Sequence, residues 1–343
     1  MEASIEHAEG LGGTSGEGGR GRSSTALAPQ RSSGTVLGIP VRPAGPGATG
    51  VPTDLAAEHP GLATYLAFVK PHIDVTFVLV AVTGTVLATA GRGGVPGWTL
   101  LGVVLAVAAL SAGAESLTNV IDRDIDAVMP RTAGRALPTG RIEVRSAVAL
   151  GVALSAAGLA IAAALGLFPF VFLLLALVDN VVVYSALTKR STPWSVVLGA
   201  PVGSLVLWAG YTAVGQPLSG SAWLLGGMVA AWVPVHIWAI ASRYRSDYAR
   251  ASVPMAPVVW SRPVLGLASL AAGAAMGALA TGGILAIRGT ASAFVAGPVA
   301  LLSAAAAAGA CLLPWQERLA RPMIRLATAY LILVLLAAIG LAT

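Results

Sequence analysis

The sequence has 343 residues, of which 56% are apolar and only 10% charged, and its mean hydropathy is +0.80. A soluble domain carries about 25% charged residues, so this composition excludes a soluble fold and points to an integral protein of a lipid bilayer. The single cysteine, Cys311, excludes an intramolecular disulfide and any cysteine-cluster metal site, and no nucleic-acid partner is expected.

Residues 1–60 are a different material. Stretches such as "EGLGGTSGEGGRGRSSTALAPQ" and "VRPAGPGATGVP" are Gly, Ser, Pro and Ala with scattered charge. They hold too little apolar surface to offset the entropy of ordering, so a disordered tail is expected ahead of a membrane domain over 61–343. Apolar runs of about 20 residues, the length that spans a bilayer, then follow at about 73–90, 98–120, 146–166, 168–187, 195–215, 222–241, 263–287, 291–312 and 323–342. The expected fold is therefore all-α and polytopic, with nine transmembrane helices.

With the N-terminus in the cytosol, the tail and the 2–3, 4–5, 6–7 and 8–9 connections all face the cytosol. They contain every Lys and Arg except Arg92, Arg288 and Arg325, the last in the first turn of the ninth run beside the 8–9 connection, the asymmetry that the positive-inside rule describes. The expected location is a cell membrane, with the charged loops on the cytosolic side.

Two of those loops are unusually rich in charge. "NVIDRDIDAVMPRTAGRALPTGRI" (119–142) carries three aspartates followed by three arginines, and "SRYRSDYARASVPMAPVVWSRP" (242–263) mixes both signs. If the second span continues helically through the first loop, Asn119, Asp122 and Asp126 share one face at about 100° per residue, Glu115 lies a turn deeper, and Asp124 points away. Oxygen ligands at this spacing suit Mg²⁺, which takes one or two carboxylates together with substrate phosphate. Nearby Arg and Lys suit phosphate oxygens. A solvated loop whose Asp and Arg pair with each other is the competing reading.

"DRDIDAVMPRTAGRALPTGRI" (122–142) resembles the first aspartate-rich motif of the UbiA superfamily of intramembrane prenyltransferases. "YRSDYARASVPMAPVV" (244–259) resembles the second motif of its protohaem IX farnesyltransferase branch. "YLAFVKPHI" (65–73) and "YSALTKRSTP" (184–193) resemble that branch's approach to the first helix and exit from the fourth.

The resemblance implies a central cavity capped by the two charged loops. It would hold a polyprenyl diphosphate, farnesyl or geranylgeranyl, with Mg²⁺ and a lipophilic acceptor such as haem B. It further implies metal ligation by Asp122, Asp126 and Asp247 with Asn119 beside them, and diphosphate contacts from Arg131, Arg135, Lys189, Arg190 and Arg245. His236 matches a histidine on the acceptor side. Departures from the branch's pattern include Thr118 where Asn is usual, Ser246 where a second Asp is frequent, and Asp179 in the fourth span. An acid within a bilayer span is a functional candidate by default, so Asp179 is expected to act in catalysis. Acceptors other than haem, and a terpene cyclase needing no acceptor, remain open alternatives.

Overall fold

The computed structural model describes residues 61–69 and 71–343. The expected tail, residues 1–60, lies outside them, as does Lys70. The described residues form helices and no strand.

Two helices lead in, α1 (Leu62–Val69) and α2 (Pro71–Ala88); then α3 (Gly97–Ile121) meets the short α4 (Arg123–Val128). A cap loop leads to α5 (Val144–Leu165). Next, α6 (Leu167–Leu177) runs without interruption into a π-helix, Val178–Thr188. The short α7 (Ser195–Leu198) precedes α8 (Pro201–Thr212) and α9 (Gly220–Arg243). A second cap segment contains α10 (Arg245–Arg250) and α11 (Ala256–Val259). Three long helices finish the chain: α12 (Arg262–Arg288), α13 (Ala293–Leu312) and α14 (Ala320–Ala342).

Among the described residues, seven segments are long and apolar enough to cross a bilayer. One of them, Arg262–Leu312, has 51 residues; it turns at Gly289–Ser292, and α12 and α13 pack back on one another. That pair covers the seventh and eighth expected runs and the shorter apolar helix Val75–Ala88 the first; against the nine crossings expected, seven segments of bilayer length stand among the described residues. Large apolar side chains such as Leu101, Phe168, Leu267, Leu301 and Leu333 stay more than half exposed, a surface suited to lipid rather than water.

The helices are held close by small residues, since apolar burial gives little drive between helices in lipid and backbone proximity must supply it. A Cβ on Gly84 of α2 would lie 2.1 Å from the Leu207 carbonyl oxygen of α8, and one on Gly210 of α8 would lie 2.0 Å from the Ala81 carbonyl oxygen. The Thr85 hydroxyl donates to the Gly210 carbonyl at 3.0 Å, so a polar bond seals the contact. On α3 and α5 the same device recurs, with Gly113 against Ser155 and the Ser116 hydroxyl donating to the Ala147 carbonyl at 2.8 Å. Between α5 and α6, Gly166 at φ 146° lets the chain reverse in a backbone conformation that residues with a side chain rarely adopt.

The second span does not run through the motif as one rod. It breaks at Asp122, φ −88° and ψ 3°. The break is shallow, because the Asp122 N–H still donates to the Thr118 carbonyl at 2.9 Å and the Asp126 N–H to the Asp122 carbonyl at 2.8 Å. These are four-residue bonds of helical type, so Asn119, Asp122 and Asp126 keep a common side.

Gly84→Ala should part α2 from α8, because the atoms in its way are backbone. Overpacking of this kind costs about 1–3 kcal/mol, read as a lowered thermal midpoint of the detergent-solubilised protein. Gly134→Ala, whose Cβ meets nothing within 4 Å, should leave the midpoint unchanged.

Candidate active site

At one end of the bundle α3, α4, the first cap loop, the π-helix and α10 enclose a cavity of about 200 Å³. Its lining includes Asn119, Asp122, Asp126, Arg131, Arg135 and Lys189, with Tyr184, Ser185 and Tyr248. The two aspartates are buried, at 8% and 5% exposure. A buried carboxylate needs a partner, and each has one. The Lys189 ammonium donates to Asp122 Oδ2 at 2.5 Å, and Arg135 Nη1 donates to Asp126 Oδ2 at 2.7 Å. Burial works against the Lys189 charge, but the Tyr184 oxygen, the Asp122 carboxylate and the Tyr248 oxygen outweigh it and raise its pKa. Arg131 lies with its guanidinium 4.6 Å from the centre of the Tyr244 ring, which fixes a charge at the rim by a cation–π contact. The Asn119 amide donates to the Phe68 carbonyl at 3.2 Å, tying α1 to the site.

The π-helix decides what the fourth span contributes. In an α-helix nine residues turn through about 900°, which puts the first and last on opposite faces. The five-residue backbone bonds of a π-helix widen each turn; here the Lys189 N–H donates to the Tyr184 carbonyl at 2.8 Å. Asn180, Tyr184, Ser185 and Lys189 therefore form one stripe, and all four line the cavity.

Asp124 faces outward. Arg190 grips it with two bonds, Nη1 to Oδ2 at 2.6 Å and Nη2 to Oδ1 at 2.5 Å, and also donates to the Ile121 carbonyl at 2.6 Å. The Arg190 hydrogen bond lowers the Asp124 pKa to about 2. Arg190, expected as a diphosphate contact, is thus engaged on the outside of the motif, where it clamps the end of α3 to the exit of the π-helix.

Four more of the expected residues stand outside the cavity lining. Asp179 is buried, but its Oδ2 accepts the Val202 N–H at 3.1 Å. Val202 is the second residue of α8, so the acid satisfies one of the donors that a helix start leaves without an intrahelical acceptor. Asp247 sits in the second cap with Arg250 at 4.0 Å, and its neighbour Tyr248 reaches the cavity instead. Arg245 lines a separate groove with Ser242 and Arg262. His236 stacks on Trp232, centroids 4.6 Å apart, and its Nδ1 is buried without a partner. Tyr184, Ser185 and Asn180 went unseen as site residues; Asn180 and Tyr184 share a face in any α-helix, but only the wider π-helical turn brings Ser185 and Lys189 onto it.

The residues present fit a hard divalent cation. Asp122 Oδ1 is buried and has no hydrogen-bond partner, and Asp126 lines the same cavity. Among the described residues no cluster of three acidic, His or Cys side chains could hold a metal unaided. An ion here would complete its shell with substrate oxygens and water, as Mg²⁺ does. A second, mostly apolar cavity of about 60 Å³, lined by Phe77, Val107, Leu110, Leu173 and Val206 among others, shares Glu115 and Asn180 with the polar one.

A sequence profile of the UbiA prenyltransferase family matches residues 77–332. The protoheme IX farnesyltransferase of Thermoplasma acidophilum is 40% identical over 198 residues, which cover 56% of this chain and 67% of that protein. Protoheme IX farnesyltransferase 1 of Picrophilus torridus is 38% identical over 201 residues, covering 58% and 67%. In structure, the chain is similar to a UbiA homologue from Aeropyrum pernix K1, with TM-score 0.65 and 24% identity over 79% of this chain and 98% of that one. It is also similar to a UbiA homologue from Archaeoglobus fulgidus bound to GPP and Mg²⁺, with TM-score 0.63 and 18% identity over 81% and 99%. At these identities both structural likenesses are of fold.

The two ion pairs should differ in worth. Lys189→Met strands a buried carboxylate and should cost about 3–5 kcal/mol. Arg190→Ala breaks a solvent-exposed pair and should cost under about 1 kcal/mol. Denaturant unfolding in detergent separates the two. The Asp124–Arg190 contribution is present above the unfolded carboxylate pKa of about 3.9 and is lost as pH falls through about 2.

Proposed function

Because the chain belongs to the UbiA prenyltransferase family, we propose that its polar cavity binds a polyprenyl diphosphate with Mg²⁺ and that it transfers farnesyl to protohaem IX, giving haem O. The chain is a multi-pass membrane protein; in the proposed topology the N-terminus and both cap loops face the cytosol. The observation that carries the reading is the polar cavity itself: two buried aspartates, one with an unpartnered oxygen, face Arg131, Arg135 and Lys189 beside an apolar chamber. The relatives named protoheme IX farnesyltransferase support farnesyl and haem as the substrate pair.

Asp122 and Asp126, with Asn119 beside them, would hold the metal, which when bound neutralises diphosphate charge and eases its departure. Arg131, Arg135 and Lys189 offer fixed positive charge to the same oxygens, in place before the charge develops. The bond from C1 to the diphosphate oxygen breaks with both electrons leaving on that oxygen. An allylic cation remains, and apolar walls such as Leu110, Leu173 and Val206 keep water from quenching it early. A porphyrin vinyl group then supplies the electron pair for the new carbon–carbon bond. Water adds to the resulting cation and loses a proton, giving the hydroxyfarnesylethyl group.

Asp122→Ala and Asp126→Ala should each lower turnover at least about a hundredfold, the scale of losing one fixed electrostatic contact to a developing charge, while Asp124→Ala should stay within severalfold. Haem O measured by mass in a host lacking that activity is the readout, and full turnover in EDTA would overturn the metal assignment. A cyclic hydrocarbon or alcohol formed from farnesyl diphosphate and Mg²⁺ alone would replace transfer by cyclisation.

The topology has its own test. In a Cys311→Ala background, cysteines at Ala133 and Ala249 should react with an impermeant thiol reagent from the cytosolic side only, and one at Gly94 from the opposite side.

A further inference from the structure

Two residues line both cavities, Glu115 of α3 and Asn180 of the π-helix. Glu115 is the only charged side chain in the 25 residues of α3, and it lies seven residues, or about 10 Å of helix, before Asp122. An acid so placed in a bilayer span is costly and calls for a function. Asp179, the other acid within a span, lines neither cavity. Glu115 does line them, at the place where they meet.

Position along the substrate then assigns the chemistry. On the prenyl-diphosphate reading, the diphosphate belongs with Asp122, Arg131, Arg135 and Lys189, and the start of the prenyl chain belongs beside them in the apolar chamber of about 60 Å³. The atom between head and chain, C1, therefore lies at the junction, beside Glu115 and Asn180. We propose that Glu115 is a catalytic residue whose carboxylate stabilises the allylic cation formed at that junction, with the Asn180 amide oxygen adding partial negative charge. This rests on the prenyl-diphosphate reading above.

When the C1–O bond breaks, its electron pair leaves with the diphosphate, and positive charge spreads over C1 and C3 of the allyl group. Glu115 forms no bond and gains no proton. It supplies a fixed negative charge in a low-dielectric site, where such a charge is worth far more than in water. Because the cation exists only after ionisation begins, this contact raises kcat and leaves ground-state binding nearly untouched.

The test uses the full-length protein in lipid nanodiscs with farnesyl diphosphate, Mg²⁺ and protohaem, following diphosphate release. Glu115→Gln keeps the shape and removes the charge; it should lower kcat about 10²–10³-fold with KM little changed. Glu115→Asp should be milder. Asn180→Asp, added to Glu115→Gln, returns a carboxylate to the same junction and should recover at least about tenfold of the lost kcat, a rescue that a purely structural role does not allow. Three results would overturn the proposal: an unchanged kcat in Glu115→Gln, a raised KM at unchanged kcat, or a double variant no faster than Glu115→Gln. If the wild-type protein itself releases no diphosphate from farnesyl or geranylgeranyl diphosphate, the prenyl-diphosphate reading fails instead.

Discussion

The ion pair between Asp122 and Lys189 is the contact around which this end of the protein is organised. Asp122 stands where α3 gives way to α4, and Lys189 follows the last residue of the π-helix. A carboxylate buried to this degree cannot stand alone, so the end of one span is bound to the exit of another. The second oxygen of the same carboxylate keeps no partner. One side chain thus closes the bundle and keeps a coordination position for a ligand. Asp126 repeats the arrangement with Arg135, which ties the cap loop down over the cavity.

The other long-range bonds serve that geometry. Gly84 and Gly210 bring α2 and α8 to backbone contact, and Asp179 holds the start of α8 against the π-helix. That contact matters beyond packing. It uses Asp179 on the π-helix flank, while Asn180, the next residue, faces the cavities. A wide helical turn gives two adjacent polar residues separate tasks, one in the scaffold and one at the junction of the chambers. Such helices recur at functional sites because the extra residue per turn displaces side chains from the faces an α-helix would give them.

The outer clamp between Asp124 and Arg190 shows how alternation of charge divides labour within one short motif. Three aspartates at every second residue cannot share a helical face. Asp122 and Asp126 turn inward, and Asp124 turns to solvent, where Arg190 meets it with two parallel bonds. The adjacent pair Lys189 and Arg190 splits the same way, one cation inside and one outside.

Much of this was legible in the sequence, and the physical reason is locality. Bilayer spans depend on composition over about 20 residues, so their places could be read directly. The sidedness of Asp122, Asp124 and Asp126 follows from helical periodicity, and it survived the break at Asp122 because the four-residue hydrogen bonds continue across it. What the sequence could not express is anything that depends on a turn of unusual width or on a distant backbone atom. The π-helix rotates Ser185 and Lys189 onto one stripe with Asn180 and Tyr184, and no pattern of apolar residues marks it. The bond from the Val202 N–H to Asp179, 23 residues away, and the grip of Arg190 on Asp124 are not written along the chain. Residue chemistry and period are written along the chain; which donor meets which acceptor is decided only when the helices pack.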